Sequence, residues 1–193
     1  MQTIFGLTGP MAAGKNAACD ILSSKGFACV DADVLAHEAI EIAKPQIIDY
    51  FGSQILNNDG TINRQKLAPL VFKTKKNLAA QEAIIHPIVD TLIHKFITEH
   101  STQDIIINAT VLYKVSAINQ CKAILFITAP FCTRLKRARK RDNFSLIHIA
   151  KRFLSQRKLF SKYVTKNSDT YKVRNYGSLK ELEKNLEKVL SVL

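Results

Sequence analysis

The chain has 193 residues, enough for one sizeable core and a small second lobe, and its 47% apolar content excludes a disordered chain. No apolar run approaches the ~20 residues a bilayer span needs, and the opening "MQTIFGLTG" lacks the basic, apolar, small-residue layout of a secretory signal, so the expected setting is the cytoplasm, away from membranes. The net charge of +12 is concentrated between Arg134 and Arg174, where 14 Lys/Arg face 2 Asp/Glu; such a stretch attracts a polyanion, either nucleic acid or a phosphorylated small molecule.

Residues 2–8 read as a short buried strand. "GLTGPMAAGKN" follows, with Gly9, four residues, Gly14 and Lys15, nearly the phosphate-binding pattern G-x-x-x-x-G-K-[ST], with Asn16 at the last position. A helix from about Lys15 to Lys25 ends at Gly26. "FACVDAD" (27–33) is a second strand closing on two aspartates, and 34–43 is helical until Pro45. "QIIDYF" is a further short helix, "NNDGTIN" (57–63) a turn, and 64–72 and 75–100 are helical, with Pro87 kinking or restarting the last. "DIIINA" (104–109) and "KAILFITA" (122–129) are continuous apolar strands suited to a parallel sheet covered on both faces. Two basic helices, "CTRLKRARKRD" and "SLIHIAKRFLSQRKLF", precede a last strand at 170–174 and a C-terminal helix capped by Ser178 and Glu181. Alternating strands and helices predict an α/β fold of βαβ units with five strands. Within a single domain spanning 1–193, the predicted core is 1–44, 101–133 and 168–193, the inserted helical substrate lobe is 45–100 and the basic lid is 134–167.

A strand, a glycine turn and then a helix is the context a phosphate loop requires. Backbone N–H groups and the helix N-terminus make an anion nest, and Lys15 adds a charge for the outer phosphates. The hydroxyl that ordinarily meets Mg²⁺ is replaced by the amide of Asn16, whose carbonyl is still a hard ligand. A second metal ligand is expected at the end of "DIIIN", where Asn108 stands, which leaves Asp31 as a candidate. Functional groups gather beyond the carboxyl ends of parallel strands, so Asp33 is assigned as the base for an attacking hydroxyl, with a helix N-cap as its bland alternative.

Arg134, Arg137 and Arg141 share one helix face, where Arg137 and Arg141 are the candidates to neutralise transition-state charge. Phe144, Phe153 and Phe160 are spaced as helix core and not as a base-stacking platform, which argues against nucleic acid. His86, Asp90 and His94 fall at i, i+4 and i+8, but no further ligands join them, and His86 facing a substrate phosphate or ribose is the better reading. The four cysteines, Cys19, Cys29, Cys121 and Cys132, form no CxxC pair and read as buried free thiols.

Taken together, "GLTG", Gly14-Lys15, "VDADVLAH", "FGSQILNNDGTINRQKL", "HP" at 86–87, "RLKRARKRD", "RFLSQRKL" and "SDTYKVRNYGS" resemble the dephospho-coenzyme A kinases along nearly the whole chain. The resemblance implies a three-layer P-loop kinase fold with a central, mainly parallel five-stranded sheet, a helical substrate lobe and a basic lid. It implies transfer of the ATP γ-phosphate to the ribose 3′-hydroxyl of dephospho-CoA, with ATP as co-substrate, Mg²⁺ as cofactor, and a monomer or small homo-oligomer. Thr8, Gly9, Met11, Ala12, Ala13, Gly14, Lys15, Asn16 and Ala17 then fall on the ATP phosphate loop, and Asn175 and Gly177 beside the adenine. Asp33 matches the base; Arg64 and His86 match the acceptor region; Arg137 and Arg141 match the closing lid. Pro10, Ala12, Ala13, Asn16, His37, Asn108, Thr110 and Lys114 depart from the family pattern. The departures leave open a kinase with another nucleoside or nucleotide acceptor, a relative that binds nucleotide without turnover and, more remotely, a nucleic-acid-binding protein.

Overall fold

The computed structural model describes residues 2–114, 116–141, 146–156, 159–164 and 169–193, the side chains of 141, 146–148, 151, 152, 162 and 164 excepted. The described chain divides into two compact units, Met1–Asp31 with Ile97–Leu193, and Ala32–Phe96.

The first unit is built on five parallel strands: β1 (Ile4–Thr8), β2 (Ala28–Asp31), β3 (Ile105–Asn108), β4 (Ala123–Thr128) and β5 (Asp169–Arg174), in the order β2-β3-β1-β4-β5. The three inner strands are apolar without alternation because both faces of the sheet are covered. Phe5, Leu7, Ile106, Leu125 and Ile127 share one cluster with Ala18 and Leu22 of α1 (Lys15–Ser24) and Leu182 and Leu186 of α9 (Leu179–Leu190). Elsewhere Phe126 meets Phe160 edge-on at 5.0 Å between ring centroids, and Tyr163 at 6.0 Å. Tyr163 belongs to the short helix α8 (Ser161–Val164) and is fully buried. The Ser178 hydroxyl caps α9 by accepting the Glu181 N–H at 3.2 Å. Eight of the 14 basic residues between Arg134 and Arg174 fall on two helices, α6 (Phe131–Arg141) and α7 (Leu146–Ser155).

β1 has β3 on one side and β4 on the other. The strand order therefore reverses at β1, and the carboxyl end of β1, where the glycine loop begins, is the position at which open α/β sheets bind ligands.

The second unit holds α2 (Ala32–Ile42), α3 (Lys44–Phe51), α4 (Arg64–Val71) and all but the last three residues of α5 (Lys75–Glu99). Ile40, Ile47, Phe51, Ile55, Leu67, Ile85, Val89 and Ile93 are among its buried residues. The 57–63 turn forms as expected: Asp59 accepts from the Thr61 N–H at 2.9 Å, Gly60 adopts φ 79, and Leu56 bridges Ile62. Asn63 caps α4 by accepting from Gln65 and Lys66. Among the described residues no helix is long and apolar enough to cross a membrane.

Two local expectations are corrected. The sequence predicts that Pro87 kinks or restarts the helix, and α5 is continuous across it, so there is no restart. Pro87 and Ala83, the residue whose carbonyl loses its donor, are both exposed, so water can take the vacant bond. The second strand was expected to reach Asp33. It stops at Asp31 and α2 begins at Ala32, which puts Asp33 in the first turn of a helix, where a carboxylate is favoured by the helix dipole.

Candidate active site

The loop between β1 and α1 is shaped by three residues with positive φ: Gly9 (152), Ala12 (60) and Gly14 (101). A Cβ on Gly9 would strike the Ile127 carbonyl, and one on Gly14 would strike the Asn175 amide, so both positions require glycine. Ala12 takes the left-handed conformation with a side chain, at a cost of about 1 kcal/mol. The Ala13 N–H turns back on the Pro10 carbonyl at 3.0 Å. The first intrahelical bond of α1 runs from the Ala18 N–H to the Gly14 carbonyl at 3.1 Å. The amides of Lys15, Asn16 and Ala17 precede it, at the positive end of the helix.

A cavity of about 480 Å³ opens on this loop, lined by Ala12, Gly14, Lys15, Asn16, Arg137 and Lys140. Three of its six lining residues are cations, so an anion of several charges is the matching ligand. The Lys15 ammonium donates to the Gly9 carbonyl at 3.3 Å, folded back along its own loop.

The loop is strapped to the basic helices by bonds that local sequence patterns did not signal. The Arg134 Nε donates to the Met11 carbonyl at 2.9 Å, and the Gln156 Oε1 accepts the Met11 N–H at 2.7 Å. The Met11 side chain is buried with Ala138, Ile149 and Phe153. Arg134 stacks over the Phe153 ring at 4.3 Å; desolvation lowers its pKa from the ordinary arginine value, and its Nη2 is buried without a partner among the described residues. Asn175, itself buried, donates to the Ala13 carbonyl at 2.8 Å and accepts from the Arg137 Nη2 at 3.3 Å. The shared helix face of Arg134 and Arg137 was visible in their spacing. Nothing in the chain near residue 156 announces the partner of Gln156.

The predicted site residues of this unit divide by position. Ala12, Gly14, Lys15, Asn16 and Arg137 gather on one cavity, with Asn175 bonded beside them. Thr8 is fully buried, its hydroxyl within 3.1 Å of the Tyr163 hydroxyl and 3.3 Å of the Thr110 carbonyl. Burial pushes the Tyr163 phenol up to about 12, against the opposing hydrogen bond from Thr8. Gly177 is exposed on the turn before α9. The Arg141 side chain and part of the 134–167 lid lie outside the described residues.

A second cavity, of about 220 Å³, is lined by Asn16, Cys19, Asp20, Ser23, Cys29, Val30, Asp31 and Asn108. Here the Asn108 Nδ2 donates to the Asp31 Oδ2 at 2.8 Å, while the Asn108 Oδ1 is buried and has no partner among the described residues. In the helical unit, Asp33 and Arg64 are exposed, at the first turns of α2 and α4, and His86 is half-buried on α5.

The comparisons with known proteins agree with this geometry. A sequence model of dephospho-CoA kinase matches residues 3–181. A dephospho-CoA kinase of Treponema denticola is 38% identical over 193 residues, covering 95% of this chain and 86% of that one. One of Lactobacillus johnsonii is 31% identical, covering 98% of each. A crystal structure from Thermus thermophilus superposes with a TM-score of 0.86 at 27% identity, covering 100% of this chain and 98% of the other. A parallel sheet whose order reverses at a glycine loop, a cationic cavity on that loop and a match along almost the full length lead to one statement: the chain belongs to the dephospho-CoA kinase family.

Proposed function

We propose that this protein transfers the γ-phosphate of ATP to the ribose 3′-hydroxyl of dephospho-CoA, giving coenzyme A and ADP. The observation that carries the reading is the cationic cavity of about 480 Å³ at the N-terminus of α1, which suits a triphosphate, in a chain of this family.

In the proposed mechanism the amides at the start of α1 and the Lys15 ammonium hold the phosphates. Phosphoryl transfer needs mainly in-line positioning and neutralised charge. Asp33 orients the acceptor hydroxyl and takes its proton. The hydroxyl oxygen attacks the γ-phosphorus as the bond to the ADP oxygen breaks. Arg137 and Arg141 offset the charge on the transferred group, and the 134–167 lid closes to exclude water. Asn175 and Gly177 lie beside the adenine, and Arg64 and His86 meet the acceptor.

Asn16, Asp31 and Asn108 bring oxygen donors to one cavity, with the unpartnered Asn108 Oδ1 among them. Among the described residues no group of three or more His, Cys, Asp or Glu could cage a metal. That donor set suits Mg²⁺ held chiefly by phosphate oxygens and water, with Asn16 and Asp31 as its protein ligands. Bound there, the ion would neutralise charge on the β- and γ-phosphates.

An assay coupling ADP release to product formation, with ATP, Mg²⁺ and dephospho-CoA, tests the reading. Product should form, and Lys15→Ala and Asp33→Asn should each lower kcat/KM by on the order of 100-fold or more. ATP binding without product from dephospho-CoA or any nucleoside acceptor would make the chain a non-catalytic relative, the reading that the amides at 16 and 108 favour. Tight, steeply salt-dependent RNA or DNA binding with no nucleotide binding would replace the proposal altogether.

A further inference from the structure

Cys19 and Cys29 lie ten residues apart in sequence, on the helix and the strand that flank the smaller cavity. Both line it, beside Asn16, Asp31 and Asn108, and both are half-buried. The Cys29 Sγ lies 3.6 Å from the carbonyl oxygen of Cys19 itself. That contact sets the Cys29 sulfur against the main chain of Cys19, and both residues line one cavity, the proximity a disulfide needs. The other two cysteines have no such setting. Cys121 is buried, where desolvation pushes its thiol up to about 12, and Cys132 is exposed on α6 without a second thiol near it in the chain.

We propose that Cys19 and Cys29 are a redox modification site: a peroxide converts them to a reversible disulfide, which fastens α1 to β2 across the cavity that Asn16, Asp31 and Asn108 share. The Cys29 sulfur attacks the peroxide O–O bond, forming a sulfenic acid and releasing one water. The Cys19 sulfur then displaces the hydroxyl from that sulfenic acid, releasing a second water and leaving the S–S bond. Two thiols are oxidised by two electrons, and one peroxide is reduced to two waters. A dithiol reverses the change by exchange. The bond shortens the sulfur separation to about 2.05 Å, so the first turns of α1 and the end of β2 must move together. Asn16 and Asp31 move with them.

The test treats the full chain with a small excess of hydrogen peroxide, blocks remaining thiols, and maps peptides without reduction. The expected result is a linked peptide joining Cys19 to Cys29, two hydrogens lighter than the reduced pair, which disappears with dithiothreitol. Cys19→Ser and Cys29→Ser should each abolish it. The absence of that peptide while Cys132 is oxidised overturns the proposal, whether or not the variants fold. A second readout rests on the kinase reading: the affinity for Mg²⁺·ATP by titration calorimetry should fall several-fold on oxidation and return with dithiothreitol. A linked peptide with unchanged affinity overturns the coupling to the cavity. Loss of the first readout and loss of the second are therefore distinguishable from failure of the kinase assignment, since the crosslink needs no assumption about the reaction.

Discussion

The Gln156 side-chain oxygen accepts the Met11 backbone N–H at 2.7 Å, across 145 residues of sequence. With Pro10 lacking an N–H and the Ala13 N–H folded onto the Pro10 carbonyl, the front half of the loop is committed to holding its own shape. Ligand donors are then concentrated at the start of α1. Gln156 is thus a positioning residue for the loop. Gln156→Leu leaves a buried amide unmatched at a cost of about 1–3 kcal/mol, and the KM for ATP should rise roughly 5- to 10-fold with a smaller change in kcat. Gln156→Glu keeps an acceptor for the same N–H and should recover most of the loss at low ATP demand on loop order. Steady-state kinetics of the two variants check this; equal damage in both would place the role of Gln156 elsewhere.

Ala12 and Gly14 both have positive φ, yet their substitutions should act in opposite directions. Ala12→Gly relieves the left-handed strain at the expense of a more flexible unfolded chain, so the net change should lie within about 1 kcal/mol of zero and toward stabilisation. Gly14→Ala drives a methyl group into the Asn175 amide and strains φ as well. It should lower Tm by at least ~4 °C and abolish nucleotide binding. Differential scanning calorimetry with and without ATP separates the two.

Lys140 lines the larger cavity from an exposed position. Its attraction for phosphate is therefore screened by salt, unlike that of the half-buried Lys15. Lys140→Ala should raise the ATP dissociation constant a few-fold at low ionic strength, and the difference should fade above about 0.3 M salt, where the Debye length is only several Å. Titrations at two salt concentrations give the answer.

The Asn108–Asp31 bond makes a pH-dependent prediction. Asn108→Asp replaces a donor to Asp31 with a second carboxylate at the same distance. Two carboxylates in contact raise the pKa of the pair. Above that raised value both are charged and repel, so the variant should be less stable than the parent by on the order of 2 kcal/mol at neutral pH. As the pH falls through the raised value the pair gains a shared proton and the deficit should shrink. Millimolar Mg²⁺ should also narrow it at neutral pH. Denaturant unfolding at pH 5 and pH 7.5, with and without Mg²⁺, tests both statements.

The parts of this molecule that could be read from sequence are those written in short-range pattern. The loop glycines, the 57–63 turn, the Ser178 cap and the apolar runs of β3 and β4 each declare themselves within about a dozen residues. Asp33 was misplaced because "VDAD" continues the strand in composition, and only the burial of Ala32, Ala39 and Ile40 along one face reveals that the helix has begun. Pro87 does not restart the helix because Ala83 is exposed and solvent can reach its carbonyl. Gln156, Tyr163 and the Asn108–Asp31 bond were out of reach for a different reason. Each joins residues 77 to 155 positions apart, and no local periodicity encodes such a pairing.

The place of β1 in the sheet has a consequence for how the protein is made. Its two flanking strands end at residues 108 and 128, and the side chain that braces Ala13 comes from residue 175. A growing polypeptide that has emerged only as far as α1 lacks all of these supports, so the loop takes its native shape only after residues 108, 128 and 175 have followed. The shape of the loop is therefore set late, by strands made well after it, the last of them β5 and the Asn175 that follows it.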